Sequence, residues 1–375
     1  MAQVQKPGRI ACFHVWRVIS FEEGLLLRAM AILVIMAHNY LHWIADTPGE
    51  NEFGFSLSRM LSVIDGIRNH PLDAVRILAS YFGHYGVQVF FFLSGYGLTR
   101  KYGARMVGWW AFQWRRWQGL YPAVLVSALG YFVYEGYRIG WLELWHSHMI
   151  NLLLQMTGIS NFIPGQAYSP IGPWWFISVI LQFYLILPFI WGRVKKHGEI
   201  FLYVAVIASW LLEIIMGGWF YRQLNLNINH TILGHLDVCL MGVWFARREK
   251  VNLPWPVIWV GLAVFCGGNF YQNLWIVSGV GLLLFLLPLM RFLCAGVARR
   301  PTLSRLTKWI GELSLYLFLC NGFLRKPLID WAKEQGCWWT SLWSCMLFIL
   351  IAVTGAFLLR NLERWIFLVV RRSKE

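Results

Sequence analysis

The chain has 375 residues, 58% of them hydrophobic and only 14% charged, with 33 Lys and Arg against 18 Asp and Glu and a formal net charge of +15. An average soluble domain carries about 25% charged residues, so this composition excludes intrinsic disorder and a single soluble core of this size. The apolar runs are continuous rather than alternating, which argues against a porin-type barrel and leaves an all-α polytopic membrane protein, each helix satisfying its own backbone groups within the lipid bilayer.

A hydrocarbon layer about 30 Å thick takes roughly 20 apolar residues per helix. Ten such segments are predicted, near residues 25–45, 77–98, 118–138, 173–192, 199–219, 230–246, 254–272, 274–292, 309–326 and 339–361. With the N-terminus in the cytoplasm, 25 of the 33 Lys and Arg fall on cytoplasmic segments. That bias follows the positive-inside rule, so both termini are predicted cytoplasmic and most of the net charge is topology. No basic and aromatic stripe lies on a soluble domain, and no nucleic-acid partner is predicted. The predicted organisation is a cytoplasmic N-terminal segment (1–24), a ten-helix membrane domain (25–368) and a basic cytoplasmic tail (369–375). Glu22 and Glu23 precede the first apolar run, unlike a signal peptide. Two outer stretches are less regular. Residues 46–76 are polar and mixed in charge, with Asp46, Glu50, Glu52, Asp65 and Asp73. Residues 139–172 hold Trp141, Trp145 and a short apolar patch, Leu152 to Leu154, read as interfacial or re-entrant. The seven cysteines include no C-x-x-C pair and read as small hydrophobes.

Ionisable side chains inside spans are costly and are functional candidates for that reason. Arg28 and His38 stand ten residues apart in the first span, about 15 Å at 1.5 Å per residue. A cation is thus expected at the cytoplasmic edge. An imidazole, suited to taking and returning a proton near neutral pH, is expected near the midplane, and the two should open onto one cavity. The same side chains also read as a snorkelling arginine and a packing histidine. His42, one turn beyond His38, makes a metal pair only with further ligands, and no metal is predicted. Within the second span the stretch from His84 to Gly97 holds Gly86, Gly95 and Gly97, a small-residue seam or an opening. Its Ser94 is a nucleophile only beside a base. Arg115 and Arg116, ahead of Tyr121 and Pro122, suit phosphate groups as bidentate forks and equally an inner anchor. Trp175 opens the fourth span at the interface, and Gln182 within it needs a partner. The sixth span carries His230, His235 and Asp237, a carboxylate that is costly unless paired. Glu213 and Glu312 read as structural groups near span ends.

Several features recur in order along residues 25–325: Arg28 and His38; Phe91 to Tyr96 within FFFLSGYG; Arg115 and Arg116 before Tyr121 and Pro122. They continue with Gly172, Pro173, Trp175, Ser178, Gln182, Phe183, Tyr184 and Pro188, and end with Ser314 to Asn321. This set resembles the acyltransferase-3 family of integral membrane acyltransferases, of the kind that O-acetylate surface polysaccharide. Three positions depart from the family pattern: Gly119 stands for an arginine, Ile180 for a glutamate and Asn321 for a histidine. The resemblance implies transfer of an acyl group, commonly acetyl, from cytosolic acetyl-CoA or another acyl-CoA to a hydroxyl of a cell-surface or lipid-linked glycan. It implies a bacterial cytoplasmic (inner) membrane as the location. It places His38 and Arg28 at the chemistry and Arg28, Arg115, Arg116, Tyr121 and Ser94 at the acyl-CoA. His84, Trp175, Gln182, His235, Asp237 and Asn321 then fall to the acceptor. A glycan transporter or flippase shares the polar groups and the basic face, though no inverted repeat is visible. A glycan polymerase or ligase is a third reading. The acceptor's identity and the oligomeric state are left open.

Overall fold

The computed structural model describes residues 15–17, 19–44, 49–105 and 107–372. Most of the predicted N-terminal segment, residues 373–375 of the predicted tail and Asp46 fall outside these residues. β1 (Val15–Arg17) precedes α1 (Phe21–Leu41). Ser20 starts this helix with a capping box: its hydroxyl accepts the Glu23 amide, and the Glu23 carboxylate accepts the Ser20 amide. Two of the donors that a helix start leaves open are thereby satisfied.

The polar stretch after α1 is more ordered than its composition suggests. Residues 49–56 turn back, and α2 (Leu57–Asn69) follows, then a 3-10 turn over Pro71–Asp73. The second apolar segment is not one helix. It divides into α3 (Ala74–Phe82), a 3-10 turn (Gly83–Tyr85) and α4 (Gly86–Leu98). The division follows from close approach to α1. A Cβ on Gly83 would lie 2.5 Å from His38 Cβ, and one on Gly86 would lie 2.9 Å from the Ala31 carbonyl. The chain rests directly on α1 here, and only glycine lets it.

After a π-helical turn (Thr99–Gly103) come α5 (Trp109–Ile139) and α6 (Trp141–Thr157). The Leu152 to Leu154 patch is part of α6, a 17-residue helix bounded by Gly140 and Gly158 at positive φ. α7 (Trp175–His197) and α8 (Ile200–Leu224) are both long and apolar. The sixth predicted segment shortens to α9 (Leu236–Ala246), because 3-10 turns over Ile228–His230 and Ile232–His235 take up its start. Asn227 and Thr231 side chains accept amides within those turns and hold them out of the helix. β2 (Lys250–Asn252) pairs antiparallel with β1. The chain ends with α10 (Trp255–Gly268), α11 (Gln272–Trp275), α12 (Ser278–Ala298), α13 (Pro301–Leu324), α14 (Lys326–Gln335) and α15 (Trp338–Arg372).

Every predicted segment contains helix, but among the described residues they do not form ten helices each long and apolar enough to span. Among the described residues six helical stretches are long and apolar enough to cross a bilayer: 21–41, 71–103, 172–197, 200–224, 278–298 and 338–369. Residues 232–246 and 255–268 are apolar but shorter. The chain is an integral, multi-pass helical protein. α1 lies at its centre, packed on α13, α4, α3, α12 and α15. α8 has only Leu202 and Ser209 buried, and many of its apolar side chains, Ile207, Leu211 and Ile215 among them, are exposed, as on a lipid-facing helix.

Candidate functional site

Five helices enclose a cavity of about 300 Å³, with α1 contributing Arg28 and Ile35 to its wall. α5 adds Arg116 and Gly119, α4 adds Ser94, α7 adds Ile180 and Tyr184, and α13 adds Ser314. Between these stand Val87, Phe90, Leu93, Phe176 and Phe318, so the space is mostly apolar with cations toward one end. Arg28 has neither a hydrogen bond nor an ion pair among the described residues. Arg116 donates to Tyr102 Oη at 2.9 Å and lies over its ring, yet its Nε is unpartnered and buried. Two guanidinium groups with unused donors are well formed to take an anion such as a phosphate. The Ser94 hydroxyl is turned back onto the Phe90 carbonyl at 2.8 Å. Gly119 and Ile180, two of the positions that depart from the family pattern, face this same cavity.

His38 is not on the wall of that cavity, contrary to the expectation of one shared space. Ile35, one turn short of it, is the last α1 residue there and packs over Gly86. His38 belongs instead to a cluster on the far side. It is 4% exposed, and its Nδ1 lies 2.8 Å from the Ser80 carbonyl. A carbonyl only accepts, so Nδ1 carries the hydrogen and Nε2 keeps its lone pair. The His42 and His84 rings lie 5.5 and 5.6 Å from the His38 ring. The loop after α1 returns Glu50 and Glu52 to the same place: a His38 ring nitrogen and one oxygen of each carboxylate all lie within 4.8 Å of one another. His42 Nδ1 sits 2.8 Å from Glu50 Oε2. These are donor types a divalent cation takes, and they are equally a set of groups that exchange protons.

A second, polar cavity of about 40 Å³ adjoins this cluster, lined by Glu52, His84, Tyr85, Gln88, Glu213, His235 and Asp237 among others. It gathers three of the predicted acceptor residues, His84, His235 and Asp237. His235 Nε2 lies 2.9 Å from the Asn229 carbonyl, and Asp237 accepts the Trp210 indole at 3.0 Å and the Val238 amide. Trp175 is 5% exposed, packs on the His235 ring and Phe53, and lines neither cavity. Gln182 accepts the Ile232 amide at 2.9 Å and so holds the turn before α9. Asn321 is fully buried, accepts from Asn39 and donates to the Phe318 carbonyl. Arg115 points outward from α5, and Tyr121 donates to the Met156 carbonyl; neither lines a cavity.

Sequence reading treated Glu50 and Glu52 only as loop charges. Their signal was two acids spaced i, i+2 in a short return from the helix that carries His38. Arg325, counted as topology, donates to the Asn39 carbonyl at 2.5 Å and lies over Trp43, beside the histidine end of α1. A family model described as an acyltransferase domain, that of the acyltransferase-3 family, matches residues 26–361. No curated protein and no solved structure matches the chain.

Proposed function

The chain belongs to the acyltransferase-3 family and is a membrane acyltransferase; from that premise we propose that it moves an acyl group, acetyl in the first instance, from cytosolic acyl-CoA to a hydroxyl of a cell-surface or lipid-linked glycan. We place it in the bacterial cytoplasmic membrane, with ten spans and the arginine-rich end inside. The observation that carries this reading is the convergence of Arg28 and Arg116 on an otherwise apolar cavity. A phosphate-bearing carrier with an apolar arm is the kind of ligand such a space receives. Tyr184 and Ser314 on its wall are available to the polar atoms of the arm.

His38 Nε2 acts as general base. It takes the acceptor's hydroxyl proton as the oxygen bonds to the acyl carbon, and the carbon–sulfur bond breaks with its electron pair leaving on the CoA thiolate. For the two to meet, the acyl carbonyl must pass the layer formed by Ile35 and Gly86. A positioned base contributes roughly 10²–10⁴-fold.

The test is release of free CoA thiol from acetyl-CoA by membranes containing the protein. Arg28→Ala should raise the KM for acetyl-CoA, and His38→Ala should lower kcat by about 10²-fold or more, with both variants folded and inserted. Full turnover by His38→Ala removes the base role. Glycan flux without thiol release would favour transport.

A further inference from the structure

Two polar atoms on one stretch of chain have no hydrogen-bond partner among the described residues: His84 Nε2 and Gln88 Oε1. His84 is 3% exposed, and both residues line the polar cavity. Buried polar atoms in native proteins are nearly always satisfied, by water where no protein group serves. His84 Nδ1 lies 2.7 Å from the Tyr81 carbonyl, so Nε2 is the acceptor left facing the space. The cavity is far too small for a sugar ring. A water needs about 10–15 Å³ on this measure, so about 40 Å³ admits two or three.

Glu52 joins this cavity to His38, since it lines the one and stands within 4.8 Å of the other. The groups facing His38 are His42 on α1, His84 on the turn before α4, and Glu50 and Glu52 on the loop. A histidine that has taken a proton in so buried a place must return it before the next turnover.

We propose that the polar cavity holds an ordered water cluster and that Glu52 passes the proton from His38 into it. This rests on the reading of His38 as base. In the step, the Nε2–H bond of the imidazolium breaks as one Glu52 oxygen gains that proton. The other Glu52 oxygen gives its own proton to a cavity water held by His84 Nε2 and Gln88 Oε1. The water cluster hands one proton to solvent at the histidine end, and the thiolate takes one from solvent at the arginine end. Burial and the Glu50 charge hold Glu52 protonated to higher pH than an ordinary carboxyl, as a carrier of this kind requires.

The experiment compares wild type, Glu52→Gln, Glu52→Asp and Gln88→Leu in native membranes, which bring their own acceptor. Thiol release from acetyl-CoA is followed in H₂O and D₂O across pH. Glu52→Gln should lower kcat by about 10²-fold, at the lower end of what a positioned proton transfer contributes. Its KM for acetyl-CoA should stay unchanged, the pH profile should shift, and Glu52→Asp should recover part of the rate. Gln88→Leu, which displaces water without removing a titratable group, should lower kcat with KM unchanged. Wild-type kcat and an unaltered solvent isotope effect in Glu52→Gln overturn the relay. If Glu52→Gln does not fold, wild-type kcat in Gln88→Leu overturns it. Activity lost on chelation and restored by a divalent metal also overturns it, by making His38, Glu50 and Glu52 a cation site. Absence of thiol release from the wild type would instead sink the acyl-transfer reading.

Discussion

Glu50 and Glu52 stand two residues apart, yet their surroundings drive their titrations in opposite directions. Burial acts to raise Glu50, but its hydrogen bond with His42 and the electrostatic influence of the neighbouring His38 and His42 imidazoles outweigh burial and leave it below the usual 4.5. Burial and the Glu50 charge both raise Glu52 well above that value. Glu50 therefore contributes stability that is present above pH 4.5 and is lost as pH falls through its lowered pKa. Glu52 contributes stability that is present below pH 4.5 and is lost as pH rises through its raised pKa. Thermal unfolding in detergent across pH should accordingly show Glu52→Gln resisting the loss on the alkaline side and Glu50→Gln resisting the loss on the acid side. Arg28, His38, Arg116 and Asp237 were legible as candidates because each is an ionisable group in an apolar run. Glu50 and Glu52 were not, because a charge in a polar loop is unremarkable until the loop is seen to fold back.

The crossing of α4 and α9 shows what the glycines of the second segment do. A Cβ on Gly95 would collide with the Cys239 carbonyl, and one on Gly242 with the Phe92 carbonyl, so the two backbones touch at reciprocal positions. Gly97 has nothing within 4 Å. Gly95→Val should cost more than the roughly 1–3 kcal/mol typical of overpacking, since backbone rather than a side chain must yield. Gly97→Ala should be neutral or slightly stabilising, by up to about 1 kcal/mol of helix propensity. Unfolding temperatures of the two variants check both. The seam was readable from spacing. The break at Gly83 to Tyr85 was not, because it depends on the surface of α1 and not on local propensity. The short α9 has a similar origin: Gln182 on α7 pins the Ile232 amide in a turn that hydropathy counts as helix.

Hydropathy placed a helix at each apolar segment because lipid imposes the same backbone solution everywhere. It did not give packing, because a span facing lipid and a span facing its neighbours both read as continuous apolar runs, as α8 and α1 do. Orientation follows from charge alone and is open to direct labelling. Arg68→Cys should react with an impermeant maleimide in intact cells, and Lys196→Cys only after permeabilisation; the reverse result inverts the topology. The layer at Ile35 and Gly86 matters most on this scale. A protein whose two solvent-filled vestibules met would short-circuit the ion gradient of the membrane that holds it. In the proposed reaction, one stratum of aliphatic carbon would insulate against that leak, with an activated ester on one side and a deprotonating group on the other while the bilayer keeps its voltage.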